Sequence, residues 1–243
     1  MNKHDREQRR NILWGMTAAA SGFVISSCSG HREETGGVEK AEGTKEESEE
    51  EVSPAEDLMR EHGILKRVIL VYREAIRRLD ANRELPPEAL RDSANLIRRF
   101  IEDYHEKLEE DFLFPRFRKA NTLVELVDTL YTQHRRGRTA TDAILRLSTN
   151  SALKNPEDRR RLRDLLEGFA RMYEPHEARE DTVLFPAFRR IVPAQEYDAL
   201  GEDFEKKEHQ LFGQDGFEKN VEEVARIEKV LGVYDLAMFT PSE

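Results

Sequence analysis

A segment of this chain occurs twice. His105, Glu106, Glu109, Leu113-Phe114-Pro115, Phe117 and Arg118 return 71 residues later as His176, Glu177, Glu180, Leu184-Phe185-Pro186, Phe188 and Arg189. A second pair of histidines, His62 and His134, stands 72 residues apart. A unit carrying one early histidine and one H-x-x-x-E set is therefore present in two copies. Two such units packed face to face make a pseudo-two-fold site.

The copies sit on helical patterns. Leu58, His62, Leu65, Ile69, Tyr72, Ile76 and Leu79 step by four and three, which is one stripe of a helix facing a core. A second helix is expected from Pro87, with its stripe on Ala94, Ile97, Ile101, His105, Leu108 and Phe112. A third uses Leu123, Val127, Leu130, His134, Gly137, Thr141 and Ile144. A fourth, from Pro156, uses Leu162, Leu166, Phe169, Tyr173, His176, Glu180, Val183 and Ala187. Pro175 lies inside that helix and is expected to kink it beside His176. The connections near 80–86, 115–122 and 149–156 are short. Short connections join antiparallel neighbours, so the expected fold is all-α, an up-down-up-down four-helix bundle over residues 54–192. Residues 193–243 are expected to add one or two helices outside it, for example Glu218 to Leu231.

Four of the seven histidines fall on these stripes, one per helix. A single histidine on an apolar stripe is ordinarily a hydrogen-bonded core residue. Four facing each other need something with spare valence between them, because buried imidazoles require partners. On a helix, residues i and i+4 share a face. His105 with Glu109, and His176 with Glu180, each point a nitrogen and an anionic oxygen at one spot. A buried carboxylate without a cation is costly. The candidate metal ligands are thus His62, His105, Glu109, His134, His176 and Glu180. Two like ions would each take two imidazoles and one oxygen from each bridging glutamate. An oxo or hydroxo bridge completes five ligands and leaves one position open. Imidazole and carboxylate without thiolate suit iron or manganese, with zinc possible.

These motifs resemble the hemerythrin-like family, the HHE cation-binding domains, over roughly residues 55–190. The resemblance rests on His62, His105-x-x-x-Glu109 with Leu113-Phe114-Pro115, His134, and His176-x-x-x-Glu180 with Leu184-Phe185-Pro186. It implies a four-helix bundle with a non-haem di-iron centre that binds dioxygen or related small molecules. Oxygen-carrying members have a second histidine four residues after the third-helix ligand; here that residue is Arg138. They also use an Asp five residues after the last ligand histidine, where this chain has Glu180 after four. The missing imidazole tells against reversible oxygen carriage and favours oxidation or peroxide chemistry. Tyr104, Tyr131 and Tyr173 flank the ligands and are expected to pack, and His209 is expected at the surface.

The N-terminus reads as an address. A basic region ends in Arg9-Arg10, an apolar run spans Ile12 to Ile25, and Ile25-Ser26-Ser27-Cys28 resembles a bacterial lipobox. The apolar run is short for a membrane span, which needs about 20 residues. The arginine pair resembles a twin-arginine export signal. Residues 1–28 are thus expected to be a signal peptide with lipidation at Cys28, exporting the domain to the cell envelope on a membrane anchor. Residues 29–53 carry nine glutamates and few apolar side chains, and read as a disordered acidic linker. Formal net charge is −10 and no basic face is evident, which argues against nucleic acid as a partner.

Three functions compete on this reading. The chain could bind or sense a small diatomic ligand such as dioxygen or nitric oxide. It could be a di-iron enzyme acting on peroxide, oxygen or nitric oxide. It could store or deliver iron.

Overall fold

The computed structural model describes residues 52–241. The expected signal peptide, Arg9, Arg10, Cys28 and nearly all of the acidic linker lie outside the described residues. Those described are helical, with no strand among them. None of their helices is long and apolar enough to cross a membrane.

The first helix spans Pro54–Asp80. Ser53 caps it by accepting from the Glu56 N–H, and Pro54 occupies its first turn, where a missing N–H costs nothing. The second is a continuous rod of five stretches: Pro87–Leu96 and Glu106–Leu108 are α-helical, Ile97–His105 and Glu109–Leu113 are π-helical, and Phe114–Lys119 is α-helical. The third spans Val124–Leu147, entered through Leu123 in a left-handed conformation at φ 50°. The fourth is α-helical over Pro156–Arg179, π-helical over Glu180–Leu184 and α-helical over Phe185–Ile191. Asn155 caps it by accepting from two backbone N–H groups, those of Glu157 and Asp158. The first helix packs on the second and fourth, and the third packs on the second and fourth. A ring of four results.

Two expectations change in detail. The connection after the third helix is not plain loop but holds a helical turn, Asn150–Lys154, capped by Thr149. The stripes of the second and fourth helices also shift register at the glutamates. Phe112 and Val183 are only partly buried, whereas Leu113 and Leu184 are fully buried. The cause is one extra residue per turn. The Phe114 N–H bonds to the Glu109 carbonyl five residues back, and the Phe185 N–H bonds to the Glu180 carbonyl. Pro115 and Pro186 follow at once and have no N–H to restore the i→i−4 ladder. The repeated Leu-Phe-Pro is therefore a device for widening the helix just after each glutamate. Pro175, by contrast, is exposed and lies within the α-helical stretch of the fourth helix.

Two helices follow the ring, Ala194–Phe212 and Gly216–Leu231, then a 3₁₀ turn at Leu236–Phe239. Both pack on the first helix, and the second of them also on the start of the second rod. Arg67 of the first helix grips Glu228 with two bonds of 3.0 and 2.5 Å, and Arg78 donates to the Leu231 carbonyl at 2.7 Å.

Gly137 is the one position of the third helix where a side chain has no room. A Cβ there would lie 1.9 Å from the Tyr173 hydroxyl oxygen. Gly137→Ala should therefore lower stability by about 1–3 kcal/mol through overpacking, read as a lower midpoint in thermal unfolding. Tyr173→Phe in the same background should recover part of the loss. An unchanged midpoint for Gly137→Ala would mean that Tyr173 is not wedged there.

Candidate metal centre

All six predicted ligand side chains meet in the middle of the ring, and all are buried. Each helix contributes one imidazole, and the second and fourth add a carboxylate one turn on, as i,i+4 geometry requires. His62 Nε2 lies 3.3 Å from Glu180 Oε2, and His105 Nε2 lies 3.8 Å from Glu109 Oε2. On the other side, His134 Nε2 is 3.4 Å from Glu109 Oε2 and 4.0 Å from Glu180 Oε1, while His176 Nε2 is 3.1 Å from Glu180 Oε1. The rings pair by repeat unit: His62 with His105 at 4.7 Å between centroids, His134 with His176 at 5.0 Å. Donor atoms of His62, His105, Glu109 and Glu180 fall within 4.8 Å of one another, as do those of His134, His176 and Glu180. Two half-sites therefore share Glu180, and His134 also reaches Glu109.

The outer nitrogens are all engaged. His62 Nδ1 pairs with Asp181 at 2.7 Å, His105 Nδ1 with Glu61 at 2.7 Å, His134 Nδ1 with Glu110 at 3.2 Å and His176 Nδ1 with Gln133 at 2.8 Å. Each partner is an oxygen, so each Nδ1 serves as the N–H donor and each Nε2 faces inward, where its lone pair is open to a cation once any proton on it is displaced. This is the outer-sphere arrangement that fixes metal-binding imidazoles. It obeys the repeat throughout. Glu61-His62 matches Gln133-His134, and Glu109-Glu110 matches Glu180-Asp181. The Leu-Phe-Pro tails cross over as well: Phe114 stacks on His134 at 5.4 Å, and Phe185 on His62 at 5.6 Å. Each unit's phenylalanine and acidic neighbour thus hold the other unit's early histidine.

Arg138 explains the departure on the third helix. Its guanidinium reaches Glu106 at 2.8 Å and Glu110 at 2.8 Å, and it donates to the Glu102 carbonyl at 3.2 Å. It therefore steadies the carboxylate that orients His134. Glu106 also accepts from the Tyr173 hydroxyl at 2.6 Å. Tyr173 and Tyr104 are buried, as expected of packing residues, although Tyr173 also makes this bond; Tyr131 is 39% exposed. His209, expected at the surface, is partly buried.

The electrostatics show what the pocket demands. Both oxygens of Glu109 and both of Glu180 are buried with no hydrogen-bond partner. Burial, then the charge of Glu180, pushes Glu109 up to about 8. Burial also raises Glu180, but His176 and His62 outweigh it and hold Glu180 well below the usual carboxylate range. Burial lowers His62, yet its bond to Asp181 and the nearby charge of Glu180 carry it up to about 10. His134 is likewise penalised by burial and raised overall by Glu106, Glu109 and Glu110. His105 goes the other way, depressed by burial and by the charge on His62. Protons on His62, His134 and Glu109 thus balance the charge of the pocket where cations could. The unpartnered oxygens, the inward lone pairs and the hard-to-intermediate donor set fit a pair of transition-metal ions.

The sequence pattern located all six inward donors. It missed Glu61, Glu110, Gln133 and Asp181, although the repeat held the signal: each adjoins a predicted ligand, at equivalent places in both copies.

Because the proton on His62 persists to about 10 and that on Glu109 to about 8, a cation must displace them. Metal uptake at pH 7 should release about one proton or more per chain, and apparent affinity should climb as pH rises through 8 towards 10. A pH-indicator dye in weak buffer during addition of zinc reads this directly; uptake with no proton release would show that the pocket does not carry those protons.

Comparison with known proteins agrees with this geometry. The hemerythrin HHE cation binding domain matches residues 53–187, and again residues 125–231. The second match opens at the third helix, where the repeat begins its second copy. Uncharacterized proteins of Mycobacterium tuberculosis and Mycobacterium bovis are 48% identical to this chain over 234 residues, covering 96% of it and 91% of their own length. No solved structure matches. With the family match spanning more than half of the sequence and a site of histidines and glutamates to go with it, the chain belongs to the hemerythrin HHE cation-binding domain family.

Proposed function

We propose that this protein is an antiparallel, up-down-up-down four-helix bundle holding two iron ions, which binds or senses a small diatomic ligand at the cell envelope. His62 and His105 would hold one ion and His134 and His176 the other, with Glu109 and Glu180 shared between them. Manganese or zinc would satisfy the same donors; iron is the choice that gives ligand binding a redox partner. When bound, iron supplies an open coordination position for dioxygen or nitric oxide. The observation that carries this reading is the set of four unpartnered carboxylate oxygens facing four imidazole nitrogens whose opposite nitrogens are all occupied.

The chain's own residues then have definite tasks. Asp181, Glu61, Glu110 and Gln133 keep each imidazole in the tautomer that presents Nε2. Phe114 and Phe185 cover the early histidines and exclude water from them. Arg138 holds Glu110 and Glu106 in place. The resemblance of Arg9-Arg10 to an export signal and of Ile25-Ser26-Ser27-Cys28 to a lipobox supports a domain exported to the cell envelope on a lipid anchor at Cys28.

Turnover of peroxide, oxygen or nitric oxide is the second reading, and one feature favours it. A guanidinium stands where oxygen carriers keep a fifth imidazole, so both half-sites have only two histidines, which would leave each ion short of protein ligands.

Protein purified without added metal and reduced should develop a lasting visible band on exposure to oxygen or nitric oxide. Immediate bleaching, with loss of added hydrogen peroxide, would instead support the enzyme. Glu180→Gln should lose about 10-fold or more in iron affinity, because it removes the charge shared by both half-sites. Full iron content and an unchanged spectrum in that variant would rule the site out.

A further inference from the structure

The inner donors are symmetric, but their supports are not. In the half-site of His62 and His105, both outer nitrogens donate to carboxylates, Asp181 and Glu61, each at 2.7 Å. In the half-site of His134 and His176, one outer nitrogen faces the neutral amide of Gln133 at 2.8 Å. The other faces Glu110 at a longer 3.2 Å, and Glu110 is already neutralised by Arg138 at 2.8 Å and Lys107 at 3.0 Å. The repeat places Glu61 opposite Gln133, Asp181 opposite Glu110 and Lys66 opposite Arg138, so the two half-sites differ at matched places of one frame.

A carboxylate on the outer nitrogen makes the imidazole more basic and its ring more negative, which strengthens its hold on a cation. An amide does so less, and a carboxylate shared with a guanidinium does so less again. Lys66 is the cation nearest Asp181, at 3.6 Å, but it is half exposed and screened by solvent. Arg138 is more enclosed and makes direct bonds beside His134. The first half-site is thus backed by two carboxyl groups in short bonds to its rings, and the second by an amide and by one carboxylate that is paired with Arg138 and Lys107.

We propose that the centre is built of two unequal positions: the ion on His62 and His105 binds first and tightly, and the ion on His134 and His176 is the exchangeable one. This rests on the two-ion reading above and deepens it. The second position is then the one that loses its metal under chelation, and a chain holding one ion is a defined state of the protein.

Cobalt(II), whose visible bands report its coordination, is the probe. Titration of metal-free protein should show two steps, with the first ion held about tenfold or more tightly than the second. In crystals loaded with one equivalent, anomalous scattering from cobalt should sit between His62 and His105. Glu61→Gln, which keeps shape and an acceptor, should weaken the first step by about 10-fold and leave the second nearly unchanged. Gln133→Glu should tighten the second step and bring the two together. Two equal sites in the native protein, a first ion found between His134 and His176, or a Glu61→Gln variant with an unaltered first step would each overturn the proposal while leaving two-ion binding intact. Failure to bind cobalt at all would remove both.

Discussion

Two carboxylates lie at the centre of this helical ring, Glu109 and Glu180, with every oxygen out of water and none hydrogen-bonded. Taking such an ion from water costs several kcal/mol even after relaxation. That penalty has to be offset locally, because the surrounding Leu, Ile and Phe side chains offer nothing. Four imidazoles lie within reach. Protons on His62 and His134 can do part of the work, and metal ions held by the same donors would do the rest. The layers around the carboxylates follow from this need: inward nitrogens, outer oxygens that fix the tautomers, and phenyl rings that keep water from the early histidines.

The repeat explains how a short sequence specifies so many contacts. One unit gives an early histidine, a preceding polar residue, and a later block of His, Glu, acid and Leu-Phe-Pro. Packed against its copy, each unit completes the other. Asp181 and Phe185 of the second unit support His62 of the first, and Glu110 and Phe114 of the first support His134 of the second. Neither unit could hold its own early histidine alone. The π-helical turns belong to the same logic. By adding a residue after each glutamate, they turn Leu113 with Phe114, and Leu184 with Phe185, towards the core.

Helix positions and the six inward donors were legible in the sequence because they obey simple periods. Pro87, Pro156 and the fours and threes of the stripes suffice for the helices, and H-x-x-x-E on a shared face suffices for the centre. The stripes failed at Phe112 and Val183 because a heptad assumes an unbroken i→i−4 ladder, and a wide turn breaks it. The helical turn at Asn150–Lys154 was missed because five residues carry too little periodicity to separate from a loop. Glu61, Gln133, Glu110 and Asp181 lie off the stripes, where charged residues ordinarily face solvent, so only the match between copies could single them out. Arg138 was visible as a departure from the oxygen carriers, but its role depends on Glu106 and Glu110, one turn apart on a facing helix, which no pattern within the third helix reveals.

The most direct measurement is anomalous diffraction at the iron edge from crystals of protein purified without added metal. Two peaks should appear between Glu109 and Glu180, one against Nε2 of His62 and His105, the other against Nε2 of His134 and His176. No peak between the two glutamates, or metal bound only at the outer nitrogens or on the surface, would leave the two carboxylates without the cations that the whole arrangement is argued to serve.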